Sequence, residues 1–152
     1  MSAMNESPSA GREFVHQRLI AAPPAQVFAA LLDPARLARW WGPDGFSSSF
    51  ELFEPREGGR WRFVMHGPDG RDYPNESVFT EWRANERVVI EHVSGHHFFL
   101  TISFEPAPEG QTLVGWQQRF DTAEHAAQIA AIVVPANEQN LDRLSAEVLG
   151  AR

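Results

Sequence analysis

The sequence predicts an α+β fold, with a curved antiparallel sheet of six or seven strands wrapped around a long, kinked C-terminal helix and two short helices closing one end. Two patterns carry this. Most of the stretch from Glu13 to Phe120 divides into short segments of alternating apolar and polar residues, separated by Gly, Pro, Asn and Asp. From Thr122 to Leu149 the period changes to that of a helix with one buried face, marked by Ile129, Ile132, Val133, Ala136, Leu141, Leu144 and Val148.

Taken in order, residues 1–12 (MSAMNESPSAGR) are small and polar and read as a disordered leader, and residues 13–152 as a single domain. Glu13–Ile20 alternates as a first strand. Pro23-Pro24 opens a short helix, 24–32, whose apolar face is Val27, Phe28, Leu31 and Leu32. Pro34 disfavours a helical Asp33, so the helix ends there, and Asp33 caps a second short helix, 34–41, closed by Gly42-Pro43. Six more strands follow at 46–53, 59–66, 73–82, 87–93, 97–105 and 111–120, with Gly67-Pro68-Asp69-Gly70 the strongest hairpin signal among their turns. Alternation sends Trp61, Phe63 and Met65, then Phe98, Leu100, Ile102 and Phe104, then Val114, Trp116, Gln118 and Phe120 toward the helix.

At ~1.5 Å per residue the last helix runs roughly 40 Å, enough to cross a whole sheet. Asp121 with Glu124 reads as its N-cap and reciprocal partner, and Gly150 as its stop. Pro135 interrupts the ladder while the periodicity resumes in phase, which predicts a kink. Asn137 and Asn140 sit where the spacing from Val133 and Ala136 calls for apolar residues. Each amide then bonds to sheet side chains, faces a wet cavity, or lies in solvent at the edge of the stripe.

Composition removes several functions. Net charge is −7, which repels a nucleic-acid backbone. Cys is absent, so disulfides and thiolate sites are excluded. All 13 basic residues are Arg, which leaves no Lys for a Schiff base or a phosphate loop. No apolar run approaches the ~20 residues of a membrane span, and the leader has no signal-peptide core, so no membrane insertion and a cytoplasmic location are expected. Of the six His residues, His96 and His97 are neighbours that diverge in a strand, and no metal-ligand spacing occurs, so neither metal nor cofactor is expected.

Trp40-Trp41-Gly42-Pro43, the run from Glu54-Pro55 through Gly58-Gly59 to Trp61-Arg62-Phe63, Gly67-Pro68-Asp69-Gly70 and Asn140-Leu141-Asp142-Arg143-Leu144 occur in an order that resembles the family named for activator of heat-shock-protein-90 ATPase. That family belongs to the START-like, helix-grip superfamily, also called SRPBCC, and the resemblance spans about residues 13–149. It implies a helix-grip fold with a cavity between sheet and helix, and it leaves function open, since that superfamily uses one cavity for lipid transfer, hormone binding, polyketide cyclisation and chaperone contact.

The expected function is binding of a small apolar or amphipathic ligand, with Trp40, Trp41, Phe63, Met65, His92, Trp116, Gln118, Asn137 and Asn140 as the candidate ligand-binding residues. Trp40 and Trp41, adjacent on a helix, should diverge, one into the core and the other to the cavity mouth. His92 shares alternation with Val88 and Ile90, which places it near Gln118, to orient a ligand or act as general base. No nucleophile elbow or diagnostic acid–base spacing is present, so no catalytic residue is assigned. A cyclase- or hydrolase-like enzyme, a chaperone-interaction module and a vestigial cavity are the alternatives. A homodimer and a chaperone contact stay open as partners.

Overall fold

The computed structural model describes residues 11–150. The expected leader lies outside the described residues except for Gly11 and Arg12. Arg12 does not behave as leader: its carbonyl accepts the Phe120 N–H at 2.8 Å and its guanidinium donates to the Asp121 carbonyl at 3.0 Å.

The elements are β1 (Glu13–Ile20), α1 (Pro24–Leu32), α2 (Pro34–Trp40), β2 (Ser47–Phe53), β3 (Arg60–His66), β4 (Asp72–Arg83), β5 (Arg87–His92), β6 (Phe98–Ala107), β7 (Gln111–Phe120) and α3 (Ala123–Val148). Seven antiparallel strands form one sheet in the order β1-β7-β6-β5-β4-β3-β2, a meander with β1 laid beside its last strand. Bulges at Phe50/Leu52 and Phe79/Glu81 bend it. The curl is large. Three strands separate β7 from β3, about 19 Å in a flat sheet at ~4.8 Å per spacing. Yet Trp116 of β7 and Trp61 of β3 both lie against Trp41, at ring distances of 5.7 and 4.9 Å.

Local chemistry explains the boundaries. Asp33 is extended, ending α1 before Pro34, and its carboxylate accepts the Ala35 N–H at 2.9 Å to start α2. In the β2–β3 turn, a Cβ on Gly59 would stand 2.0 Å from the Glu54 carbonyl oxygen, so only glycine fits. The β3–β4 hairpin closes through Gly67 N–H to Arg71 O at 2.8 Å, with the Asp69 carboxylate accepting the Arg71 N–H.

α3 passes through Pro135 as one helix. Its N-cap is Thr122, whose hydroxyl accepts the His125 N–H at 3.1 Å, and not Asp121 as the sequence suggested. The Asp121 carboxylate is taken by His97 at 2.8 Å. The buried residues of α3 are Ala126, Asn137, Asn140, Leu141, Leu144 and Val148. Ile132, expected on that face, is 73% exposed, because it stands about 100° around the helix from Val133. α3 packs on β1, β7, α1 and α2. Polar ties reinforce that side: Glu147 receives Arg36 at 2.9 Å and Arg39 at 2.8 Å, and Arg18 of β1 reaches Asp142 at 2.6 Å and Glu138 at 3.0 Å. The core beneath includes Ile20, Leu31, Leu37, Trp40, Phe79, Ile102 and Leu144, each worth ~1.5–3 kcal/mol when fully buried.

Candidate functional site

The segment from Trp40 to Phe46 is held by α3. Asn140 Nδ2 donates to the Trp40 carbonyl at 2.9 Å, and its Oδ1 accepts the Gly42 N–H at 3.2 Å. Arg143 donates to the carbonyls of Arg39, Gly42, Pro43 and Phe46 at 2.7–3.0 Å. Gly42 has φ +102, and a Cβ there would meet Met65 Cε at 2.7 Å. These contacts fix the loop while α2 stops at Trp40. Trp41 is the C-cap, extended at φ −72 and ψ 129, so its ring swings to the same side as its neighbour's. Both indoles are therefore buried, 1% and 9% exposed, with their rings 5.5 Å apart. The expected divergence does not occur, because the second residue has left the helix.

Trp41 closes one wall of a pocket of about 260 Å³ on the concave face of the sheet. The rest of the lining is Phe63 and Met65 from β3, Asn75 and Ser77 from β4, Ile90 and His92 from β5, His96 from the β5–β6 turn, and Phe98 and Leu100 from β6. Register brings them together. Phe63 pairs with Asn75, Ser77 with His92, His92 with Phe98, and Ile90 with Leu100.

The polar edge is built on His92. Its ring stacks on Phe98 at 4.6 Å and 7°, with Nδ1 2.6 Å from the His96 carbonyl and Nε2 2.7 Å from Asn75 Oδ1. Burial pushes its pKa down, against the hydrogen bond to His96. A neutral imidazole donates only once. With Nδ1 donating to the carbonyl, Nε2 needs a donor, which Asn75 supplies only by turning its amide away from the Tyr73 carbonyl it donates to at 2.7 Å. The proton on His92 and the orientation of Asn75 are thus coupled. At the rim, His96 Nδ1 meets His125 Nε2 of α3 at 2.9 Å. His97 diverges from His96 and stands between Glu91 and Asp121, both at 2.8 Å, with Glu91 foremost in raising its pKa. Among the described residues, no group of three or more His, Asp or Glu is placed to hold a metal ion, and no helix is long and apolar enough to cross a membrane.

The model of the family described as activator of Hsp90 ATPase homolog 1-like protein matches residues 21–148. The chain belongs to that family. No curated protein matches it. Among solved structures, a protein from Nitrosomonas europaea superposes with a TM-score of 0.84 at 20% identity, covering 93% of this chain and 97% of that one. One from Rhodobacter sphaeroides gives 0.82 at 24%, covering 96% and 97%. The AHSA1 protein from Silicibacter pomeroyi gives 0.72 at 22%, covering 92% and 99%. At such identities the likeness establishes the helix-grip fold alone.

Of the residues singled out in the sequence of this family member, Trp41, Phe63, Met65 and His92 line the pocket. Trp40, Trp116, Gln118, Asn137 and Asn140 lie elsewhere. Trp40 Nε1 donates to the Ala30 carbonyl at 2.9 Å, Asn137 Nδ2 donates to Gln118 Oε1 at 3.0 Å, and Asn140 serves the loop backbone. His92 meets Asn75 where Gln118 was expected. The pocket walls come from strands β3–β6 and Trp41, whereas the sequence placed the cavity between sheet and α3. Asn75, Ser77, Ile90, His96, Phe98 and Leu100 were not singled out. Alternation put Phe98 and Leu100 on the inward face and Ile90 with His92; for Asn75 and Ser77 the missing information was which residues they pair with.

Proposed function

We propose that the protein binds a small apolar or amphipathic molecule in the β3–β6 pocket, against Trp41. The observation that carries this is the lining: Phe63, Met65, Ile90, Phe98 and Leu100 form an apolar surface, and the His92–Asn75 pair gives it one polar edge able to donate or accept. A few polar groups in a largely apolar concavity suit recognition of an amphipathic ligand. About 260 Å³ limits the occupant to a small molecule. The family's superfamily relations, which include cavity binding, favour the reading by analogy.

Native mass spectrometry of freshly isolated protein tests it. A small-molecule adduct is expected, and Leu100→Trp, which fills the pocket from β6, should lose it while remaining folded. Absence of any adduct, together with no ligand-induced rise in melting temperature across a library of apolar and amphipathic metabolites, would sink the proposal.

A cyclase- or hydrolase-like activity with His92 as general base would first have to free one of its ring nitrogens, both of which are engaged. The chaperone reading comes with the family's name alone.

A further inference from the structure

Three indoles meet at the centre of the concave face. Trp41 lies 4.9 Å from Trp61 and 5.7 Å from Trp116, so its ring stands across the hollow from β3 to β7. Trp61 and Trp116 are 0% and 2% exposed, and the Nε1 of each is buried with no hydrogen-bond partner. Trp40, in the same cluster, satisfies its own Nε1 on Ala30. Native interiors rarely leave a buried donor unpaired, and two around one ring need an explanation. The Trp41 ring also borders the outer pocket, which neither Trp61 nor Trp116 lines. Asn140 and Arg143 clamp the backbone on both sides of it, while the ring itself projects on two side-chain torsions into the pocket wall.

Resting on the pocket reading above, we infer that Trp41 is a displaceable plug over an inner compartment between Trp61 and Trp116. The ligand that fills that compartment is a flat ring bearing a hydrogen-bond acceptor. The ring takes the place of the Trp41 indole among the aromatic neighbours, and the acceptor oxygen receives an indole N–H that is unpartnered while the plug is in. With Trp41 in place the accessible space is the outer pocket alone. With it swung aside, the outer pocket and the compartment join, at the cost of the ring contacts that hold the plug. The affinity for a ring ligand is then reduced by the fraction of molecules that have the plug in.

The test uses 1-tetralone, a fused ring with one carbonyl acceptor, and tetralin, the same skeleton without it. Three proteins are titrated: wild type, Trp41→Ala and Leu100→Trp. Trp41→Leu stands in if Trp41→Ala does not fold. Trp41→Ala should bind 1-tetralone about tenfold more tightly than wild type, a difference of ~1.4 kcal/mol. It should also prefer 1-tetralone over tetralin, and the ¹⁵N-indole N–H resonance of Trp61 or Trp116 should move downfield only with 1-tetralone. Equal affinity in wild type and Trp41→Ala, or equal binding of the two probes with both indole signals unmoved, overturns the plug. In that case the unpartnered N–H groups rest on neighbouring ring faces. If wild type binds the probes and Leu100→Trp does not, the outer pocket stands whatever Trp41 does. If no variant binds either probe, the plug is overturned, while the pocket reading is decided by the adduct and the metabolite library.

Discussion

The two halves of α3 meet the rest of the chain differently. From Asn137 to Val148 the helix buries Asn137, Asn140, Leu141, Leu144 and Val148, and its amide, guanidinium and carboxylate groups tie down β1, α2 and the loop after it. From Ala123 to Ala136 only Ala126 is fully buried, and Ile132 and Val134 stand 73% and 39% exposed. Both halves carry apolar residues at helical spacing, so periodicity alone cannot tell them apart. The difference is set by what lies opposite. β1, α2 and the loop after it are tied to the C-terminal half, whereas the strands that line the pocket are β3–β6. One helix thus serves as core at one end and leaves the concave face accessible at the other.

The largest effect that tests this contrast is in the packed half. Leu144→Ala should cost roughly 2–5 kcal/mol, since Leu144 is 1% exposed and its neighbours are tied in place. Ile132→Ala should stay within about 0.5 kcal/mol. Chemical denaturation of both variants checks this, and a comparable loss in Ile132→Ala would erase the distinction between the halves.

A smaller effect separates the two buried amides. Asn140→Leu leaves the Trp40 carbonyl and the Gly42 N–H without partners, and should cost about 1–3 kcal/mol. Asn137 is paired with another side chain, so the partner can be removed as well. Asn137→Leu or Gln118→Leu alone should destabilise, and the double change should come within ~1 kcal/mol of wild type. Melting curves of the four variants decide it. A neutral Asn140→Leu would show that the loop needs no amide.

Much of the fold was legible because it rests on local chemistry. β1 and β7 fall where alternation places them, and Asp33 ends one helix and caps the next as its proline neighbour requires. Most of the rest turned on a partner distant in sequence or on where a helix stops. Asp121 and Thr122 are both good N-caps, and the choice falls to Thr122 because His97 claims the aspartate. Trp41 turned inward because the helix ended one residue sooner than its sequence suggested. Asn140 found its partners 98 and 100 residues away. For the site the missing quantity was register. Phe63, Asn75, Ser77, His92 and Phe98 become neighbours only once four strands are aligned.

The smallest effect contrasts two histidines on either side of the β5–β6 turn. His97 is held by Glu91 and Asp121, which raise its pKa above the ordinary 6.5. The folded state therefore binds its proton more tightly than the unfolded state. The stabilisation is complete below pH 6.5 and is lost as pH rises through the raised value. His92 has the opposite sign. Burial lowers its pKa, so between that lowered value and 6.5 the unfolded chain binds more protons, and stability falls as the solution is acidified. The hydrogen bond to the His96 carbonyl works against the burial, while the neighbouring His96 and His97 act with it. Melting temperatures followed from about pH 5 to about pH 8 check both signs. The advantage of wild type over His97→Gln should grow toward acid, and that of wild type over His92→Gln should shrink. If the His92→Gln difference also grew toward acid, the protonated ring would be the favoured state, donating to His96 and Asn75 together. The polar edge of the pocket would then carry a positive charge, and the ligand preference would move toward anionic amphiphiles.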